Sequence, residues 1–204
     1  MSQAELWYVS YGSNMCLARL RCYLEGGRPP GAKVTYAGAR DATLPRQDAA
    51  VMLPGRLYFA GESPVWGGGV AFYDHSSPAA AASRTPARAW RITTAQFADV
   101  AAQEMHRLPT ADDPLERILL GPLPGGQHRV GPGNYETLVH LGERDGLAMY
   151  TFTSPHGYDA VPHTRPSAAY LAMLAEGLRE AHGWSQAQVT DHFARLLGRA
   201  TVPD

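Results

Sequence analysis

Residues 6–11, Leu-Trp-Tyr-Val-Ser-Tyr, form an apolar run rich in aromatic and β-branched types. The run stops at Gly12-Ser13-Asn14, directly before a segment with helical spacing. A strand that enters a tight glycine turn and leaves as a helix aims several unpaired backbone N–H groups at one point. Such a point suits an anion or a developing oxyanion. The same residues also read as a plain loop with a cap residue, so the turn alone does not decide its use.

A chain of 204 residues reads most simply as one domain over 1–204, long enough to bury a sizeable core. The net charge of -1 gives no electrostatic footprint for nucleic acid or an anionic membrane, so a small-molecule partner is expected and neither of those. The start, Met1-Ser2-Gln3-Ala4-Glu5, lacks the basic and apolar regions of a secretory signal, and no later stretch approaches a membrane span. A cytoplasmic protein is the expectation; the oligomeric state is not set by the sequence. Cys16 and Cys22 fall on different faces of a predicted helix, which rules out a local bridge and makes them reduced packing residues.

Past the turn, Leu17, Leu20 and Leu24 recur at helical spacing until Gly26-Gly27. Residues 33–41 read as a strand, 44–54 are too polar and broken to assign, and 56–60 and 65–73 read as two strands. The second contains Gly67-Gly68-Gly69, which implies a bulge, a tight bend or a ligand's close approach. Residues 75–86 read as a mobile loop, 88–92 as a strand, and 109–133 as a long surface excursion holding a short helix at 114–120. A hairpin is expected from 135–141 and 147–153 around Asp145-Gly146. Two helices follow, one opened by Pro166-Ser167 and stopped by Gly183, the other opened by a Ser185/Gln188 capping box and ended near Gly198. No disordered tail of consequence is expected. This order predicts an α+β fold.

The most informative helix is predicted over 93–108, since Thr93 and Gln96 have capping-box spacing. Phe97, Val100, Ala101, Glu104 and Leu108 fall at i, i+3, i+4, i+7 and i+11, on one stripe, so Glu104 sits on the apolar face. Asp99 lies off that stripe with Gln103 and His106 and reads as a solvated charge. A carboxylate facing the core needs a reason. Either desolvation raises its pKa to where it can trade protons near neutral pH, or it lies at the stripe's edge or pairs with an arginine such as Arg107.

Other constellations are weaker. The eight histidines are scattered, with no His-Glu-x-x-His and no Cys-x-x-Cys, so no metal is expected. No dinucleotide fingerprint is present and no cofactor is expected. Ser13 is a runner-up nucleophile, although Gly-x-Ser-x-Gly is absent and no base can be assigned to it.

Tyr11-Gly12-Ser13-Asn14-Met15, Glu104 on a later amphipathic helix, and Pro166-Ser167-Ala168-Ala169-Tyr170 occur in the order found in the γ-glutamylcyclotransferase family, which the chain resembles. The glycine-containing stretch 66–73 resembles that family's central strand, and the helix around Glu104 takes the place of its Leu-Asp-x-x-Glu-Gly segment. The resemblance implies a small mixed β-barrel with flanking helices. It also implies cleavage of a γ-glutamyl amide by cyclisation to 5-oxoproline, with the substrate's own α-amine as nucleophile. On that resemblance Glu104 carries both proton transfers. The backbone of Gly12, Ser13 and Asn14 holds the substrate carboxylate or carbonyl oxygen, and Tyr11 and Tyr170 are hydrogen-bond partners at the wall. Ala101 and Met105 stand where the family has Asp and Gly, which predicts a bulkier pocket floor and one polar partner fewer. The alternatives are amide hydrolysis or deacylation on the same scaffold, with Glu104 activating water, and a binding protein that has lost turnover.

Overall fold

β1 (Glu5–Ser10) is buried from Leu6 to Ser10 on both faces, as its unbroken apolar run requires. It pairs antiparallel with β5 (Arg84–Thr93) and parallel with β8 (Leu147–Thr153). The computed structural model describes residues 4–77 and 82–198. Within them a six-stranded mixed sheet runs β2-β5-β1-β8-β7-β6, where β2 is Gln47–Pro54, β6 is Gln127–Arg129 and β7 is Thr137–Arg144. β3 (Arg56–Ala60) and β4 (Val70–Asp74) form a separate antiparallel pair. The sheet is open, so the α+β class holds and the expected closed barrel does not.

Several local expectations change for identifiable reasons. Residues 33–41 contribute a single bridge, Tyr36 to Gly27, instead of a strand. The unassigned stretch 44–54 carries β2, whose polar pattern reflects its place at the sheet edge, with only Leu53 buried. β5 extends back through Pro86, which is tolerated because β1 pairs with β5 only from Arg88 onward. Part of the loop expected over 75–86, and both termini, lie outside the described residues. The Gly67-Gly68-Gly69 run is a bend, not strand. Gly67 and Gly68 have φ of 72° and 67°, and a Cβ on Gly68 would lie 2.5 Å from the Arg165 carbonyl oxygen. Close approach of the backbone ahead of the penultimate helix accounts for these glycines. The hairpin turn is as expected, with Asp145 and Gly146 both at positive φ.

α1 (Leu17–Glu25) follows a single 3-10 turn at Ser13–Met15. α2 (Thr94–Glu104) opens with the full capping box, since Thr93 Oγ1 accepts from the Gln96 N–H and Gln96 Oε1 from the Thr93 N–H. It ends four residues before the expected Leu108, which is 73% exposed, and His106 adopts a positive φ just beyond. α3 (Pro114–Leu119) lies within the 109–133 excursion. α4 (Ala168–His182) is capped by the Ser167 side chain, and α5 (Gln186–Gly198) closes the described chain. No helix among the described residues is long and apolar enough to cross a membrane. Cys16 and Cys22 are free thiols.

Asp99 is the clearest correction. Its side chain is 1% exposed and accepts from the Arg40 backbone N–H at 2.8 Å and Arg40 Nε at 2.9 Å; Arg40 also reaches Glu116 on α3. The pair ties the 37–40 segment to α2. Asp99→Ala is expected to cost about 3 kcal/mol in urea unfolding, because it leaves a partly buried guanidinium without its main partner.

His192 on α5 packs its ring against Trp184 at 5.2 Å. Burial, with the Arg195 and His182 charges adding, pushes its pKa down from 6.5 to about 4. Between those values the unfolded chain binds the extra proton. Stability is therefore full above pH 6.5 and falls as the pH drops towards 4, by up to about 3 kcal/mol. Urea titrations across that window should show the loss, and His192→Gln should flatten it.

Candidate active site

The turn is held in place from three sides. Trp90 Nε1 donates to the Asn14 carbonyl at 2.9 Å, and Arg88 Nη1 donates to the Met15 carbonyl at 3.0 Å and to Glu180 at 2.7 Å. Glu180 on α4 in turn accepts the Leu17 N–H at the start of α1. α4 crosses so closely that a Cβ on Gly177 would lie 2.5 Å from Met15 Cβ. The Met15 and Cys16 N–H groups close the 3-10 turn, while those of Gly12, Ser13 and Asn14 make no hydrogen bond within the described protein. Three donors are thereby left available, as a strand-turn-helix junction predicts.

The same turn borders a cleft of about 70 Å³. Tyr11, Gly12, Ser13, Asn14, Glu104 and Tyr170 all line it, so residues from the turn, α2 and α4 meet in one place. The Asn14 side chain makes the link: its Nδ2 donates to Glu104 Oε1 at 3.0 Å and to the Tyr8 hydroxyl at 3.0 Å. Glu104 is the last residue of α2 and half-buried. Arg107, its alternative partner by sequence, pairs with Asp113 instead.

The tyrosines serve the wall. Tyr11 donates to the Phe152 carbonyl at 2.9 Å, so its hydroxyl proton is committed to the scaffold. Tyr170 accepts from the Ala71 N–H at 3.3 Å and lies beside Ser13, while Tyr135 donates to the Ala71 carbonyl at 2.8 Å. Burial pushes Tyr8, Tyr11, Tyr135 and Tyr170 above the ordinary phenol range; the Glu104 charge adds to the rise at Tyr8 and Tyr170. These phenols therefore stay protonated and act as neutral hydrogen-bonding groups. No histidine or carboxylate bonds the Ser13 hydroxyl among the described residues, which favours positioning over attack.

Ala101 and Met105 do not line the cleft, so the expected bulkier floor is not formed: Ala101 is fully buried and Met105 packs on the core. Tyr8, Arg19, His106 and Tyr135 are among the cleft residues that the sequence does not mark as site residues. Arg19 carried a usable signal, since it sits four residues before Tyr23 and next to Leu20 on the face of α1 that is buried. Tyr135 lies just beyond the 109–133 excursion and supplies part of the wall, while no residue of that excursion lines the cleft. Among the described residues no three His, Cys, Asp or Glu side chains gather as a metal-ion site would require.

No protein-family model matches the chain. A protein named Histone deacetylase 5 from Arabidopsis thaliana is 30% identical over 212 residues, covering 98% of this chain. The chain spans about a third (32%) of that relative's length. A solved structure titled Gamma-glutamyl cyclotransferase superposes with a TM-score of 0.51 at 16% identity, covering 93% of this chain and 87% of that one. An uncharacterised protein from Homo sapiens gives 0.50 at 16% identity, covering 94% and 88%. At such identity the likeness is one of backbone architecture. The chain has the γ-glutamyl cyclotransferase fold.

Proposed function

We propose that the protein cleaves a γ-glutamyl amide by intramolecular cyclisation, releasing an amine and 5-oxoproline. The observation that carries this reading is the Asn14 to Glu104 hydrogen bond, which joins a carboxylate to a turn with three free N–H donors in one cleft. Such an arrangement suits a reaction in which the substrate supplies its own nucleophile. Glu104 takes a proton from the α-ammonium. The freed amine attacks the γ-carbonyl carbon, and the N–H groups of Gly12, Ser13 and Asn14 stabilise the oxyanion. As the carbon–nitrogen bond to the leaving amine breaks, Glu104 returns the proton to that amine and takes the second proton from the ring nitrogen, which leaves a neutral lactam, and then releases that proton to solvent.

Amide hydrolysis or deacylation is the second reading, favoured by the name of the Arabidopsis relative; there Glu104 would activate water. Incubation with a panel of γ-glutamyl amides separates the readings. Formation of 5-oxoproline supports cyclisation, and free glutamate supports hydrolysis. Absence of both products, with ligand protection against thermal unfolding, would leave a binding protein.

A further inference from the structure

We propose that Arg19 binds a carboxylate of the substrate, so that the cleft reads an α-amino-acid head group and the turn is left for the reacting carbonyl. The inference rests on the cleft being the substrate site, not on the reaction that follows.

Arg19 is 2% exposed and lines the cleft from α1. Its Nη2 donates to the Tyr23 hydroxyl at 2.6 Å and the Tyr36 hydroxyl at 2.7 Å, and its guanidinium lies 4.3 Å and 4.4 Å from those two ring centres. Nε and Nη1 are buried and have no hydrogen-bond partner. None of the ion pairs among the described residues includes Arg19. Tyr23 and Tyr36 do not supply a counter-charge either, because burial pushes both phenols up, outweighing the lowering effect of the guanidinium.

The Glu104 carboxylate acts on the guanidinium through space without pairing with it, so Nε and Nη1 remain buried donors with no acceptor, at a desolvation cost. The polyaromatic sleeve holds it in one orientation, which limits the entropy lost when a carboxylate arrives. The cleft has the matching opposite vacancy: Asn14 Oδ1 is a buried acceptor without a donor, and it adjoins the Glu104 carboxylate through the same side chain. Unpaired donors on one group and unpaired acceptors on the other complement a ligand bearing both a carboxylate and an ammonium. With the carboxylate on Arg19 and the ammonium at Asn14 and Glu104, the amine to be deprotonated stands beside its base.

Calorimetric binding of L-glutamine and of its α-carboxamide, at a pH low enough to keep both α-amines protonated, tests the assignment, because the carboxamide lacks the α-carboxylate charge. The wild-type protein is expected to prefer L-glutamine by about tenfold or more. Arg19→Met should abolish the preference, and Arg19→Lys, which keeps the charge but loses the planar fork, should weaken it by about threefold or more. The assignment is overturned if wild type shows no preference or binds neither compound. It is equally overturned if a folded Arg19→Met keeps the preference, or if Arg19→Lys keeps it undiminished. Product analysis of the same mixtures separates the two claims. A preference lost in Arg19→Met without 5-oxoproline from any amide removes cyclisation and keeps the carboxylate site. 5-Oxoproline formed with the preference intact in that variant does the reverse.

Discussion

Glu104→Gln is expected to lower turnover of a γ-glutamyl amide by about 10³-fold while the protein folds as before. The substituted amide keeps the length of the side chain, and its oxygen can still accept from Asn14 Nδ2 at the place where Glu104 Oε1 now does. Glu104 is half-buried at the last position of α2 and makes no ion pair among the described residues, but its charge acts on Arg19 through space, so the exchange is expected to cost about 1 kcal/mol or less. What the exchange removes is the group that carries the proton from the α-ammonium to the departing amine. Steady-state rates and thermal unfolding, measured on the same preparation, check the two halves of the statement. A variant with near-normal turnover would take Glu104 out of the mechanism.

Gly177→Ala should lower stability and activity together, and it acts without touching the cleft. In an isolated helix the change is favourable by about 1 kcal/mol, because glycine costs backbone entropy. Here the new methyl would sit 2.5 Å from Met15 Cβ and 2.8 Å from the Cys16 backbone nitrogen, so α4 and the turn must separate. Overpacking of that kind costs about 1–3 kcal/mol, and the contact with backbone at Cys16 puts it at the upper end, above the propensity gain. Displacing Gly12 to Asn14 from the Glu104 carboxylate should lower kcat/KM by up to about 10²-fold. Urea unfolding and kcat/KM are expected to fall together. An unaffected or stabilised variant would mean that the crossing of α4 does not set the turn.

The parts of this molecule legible in its sequence are those that local chemistry decides. The capping box at Thr93, the Asp145-Gly146 hairpin, the Ser167 cap and the Gly-Ser-Asn turn each depend on a few neighbouring residues, and each stands where its residues place it. Glu104 was visible as a candidate because a carboxylate on an apolar stripe violates the pattern around it. The same helical spacing places Asp99 in solvent, where it is not found. Its burial comes from Arg40, far away in the chain, and no periodicity on α2 reports a partner that arrives from another segment. β2 escaped because an edge strand buries little on its own and is defined by the hydrogen bonds of β5. Arg19 is the instructive omission. It stood on the buried face of α1 beside Leu20 and four residues before Tyr23, but its aromatic sleeve is completed by Tyr36 and Trp66, which the fold alone brings to it.

The central claim is that the substrate's own amine, not water, attacks the γ-carbonyl. Mass analysis of the product formed from a γ-glutamyl amide in isotopically labelled water tests it most directly. The arrangement of Glu104, Asn14 and the turn predicts 5-oxoproline carrying no oxygen from the solvent. Free glutamate with solvent oxygen in its γ-carboxylate would contradict it.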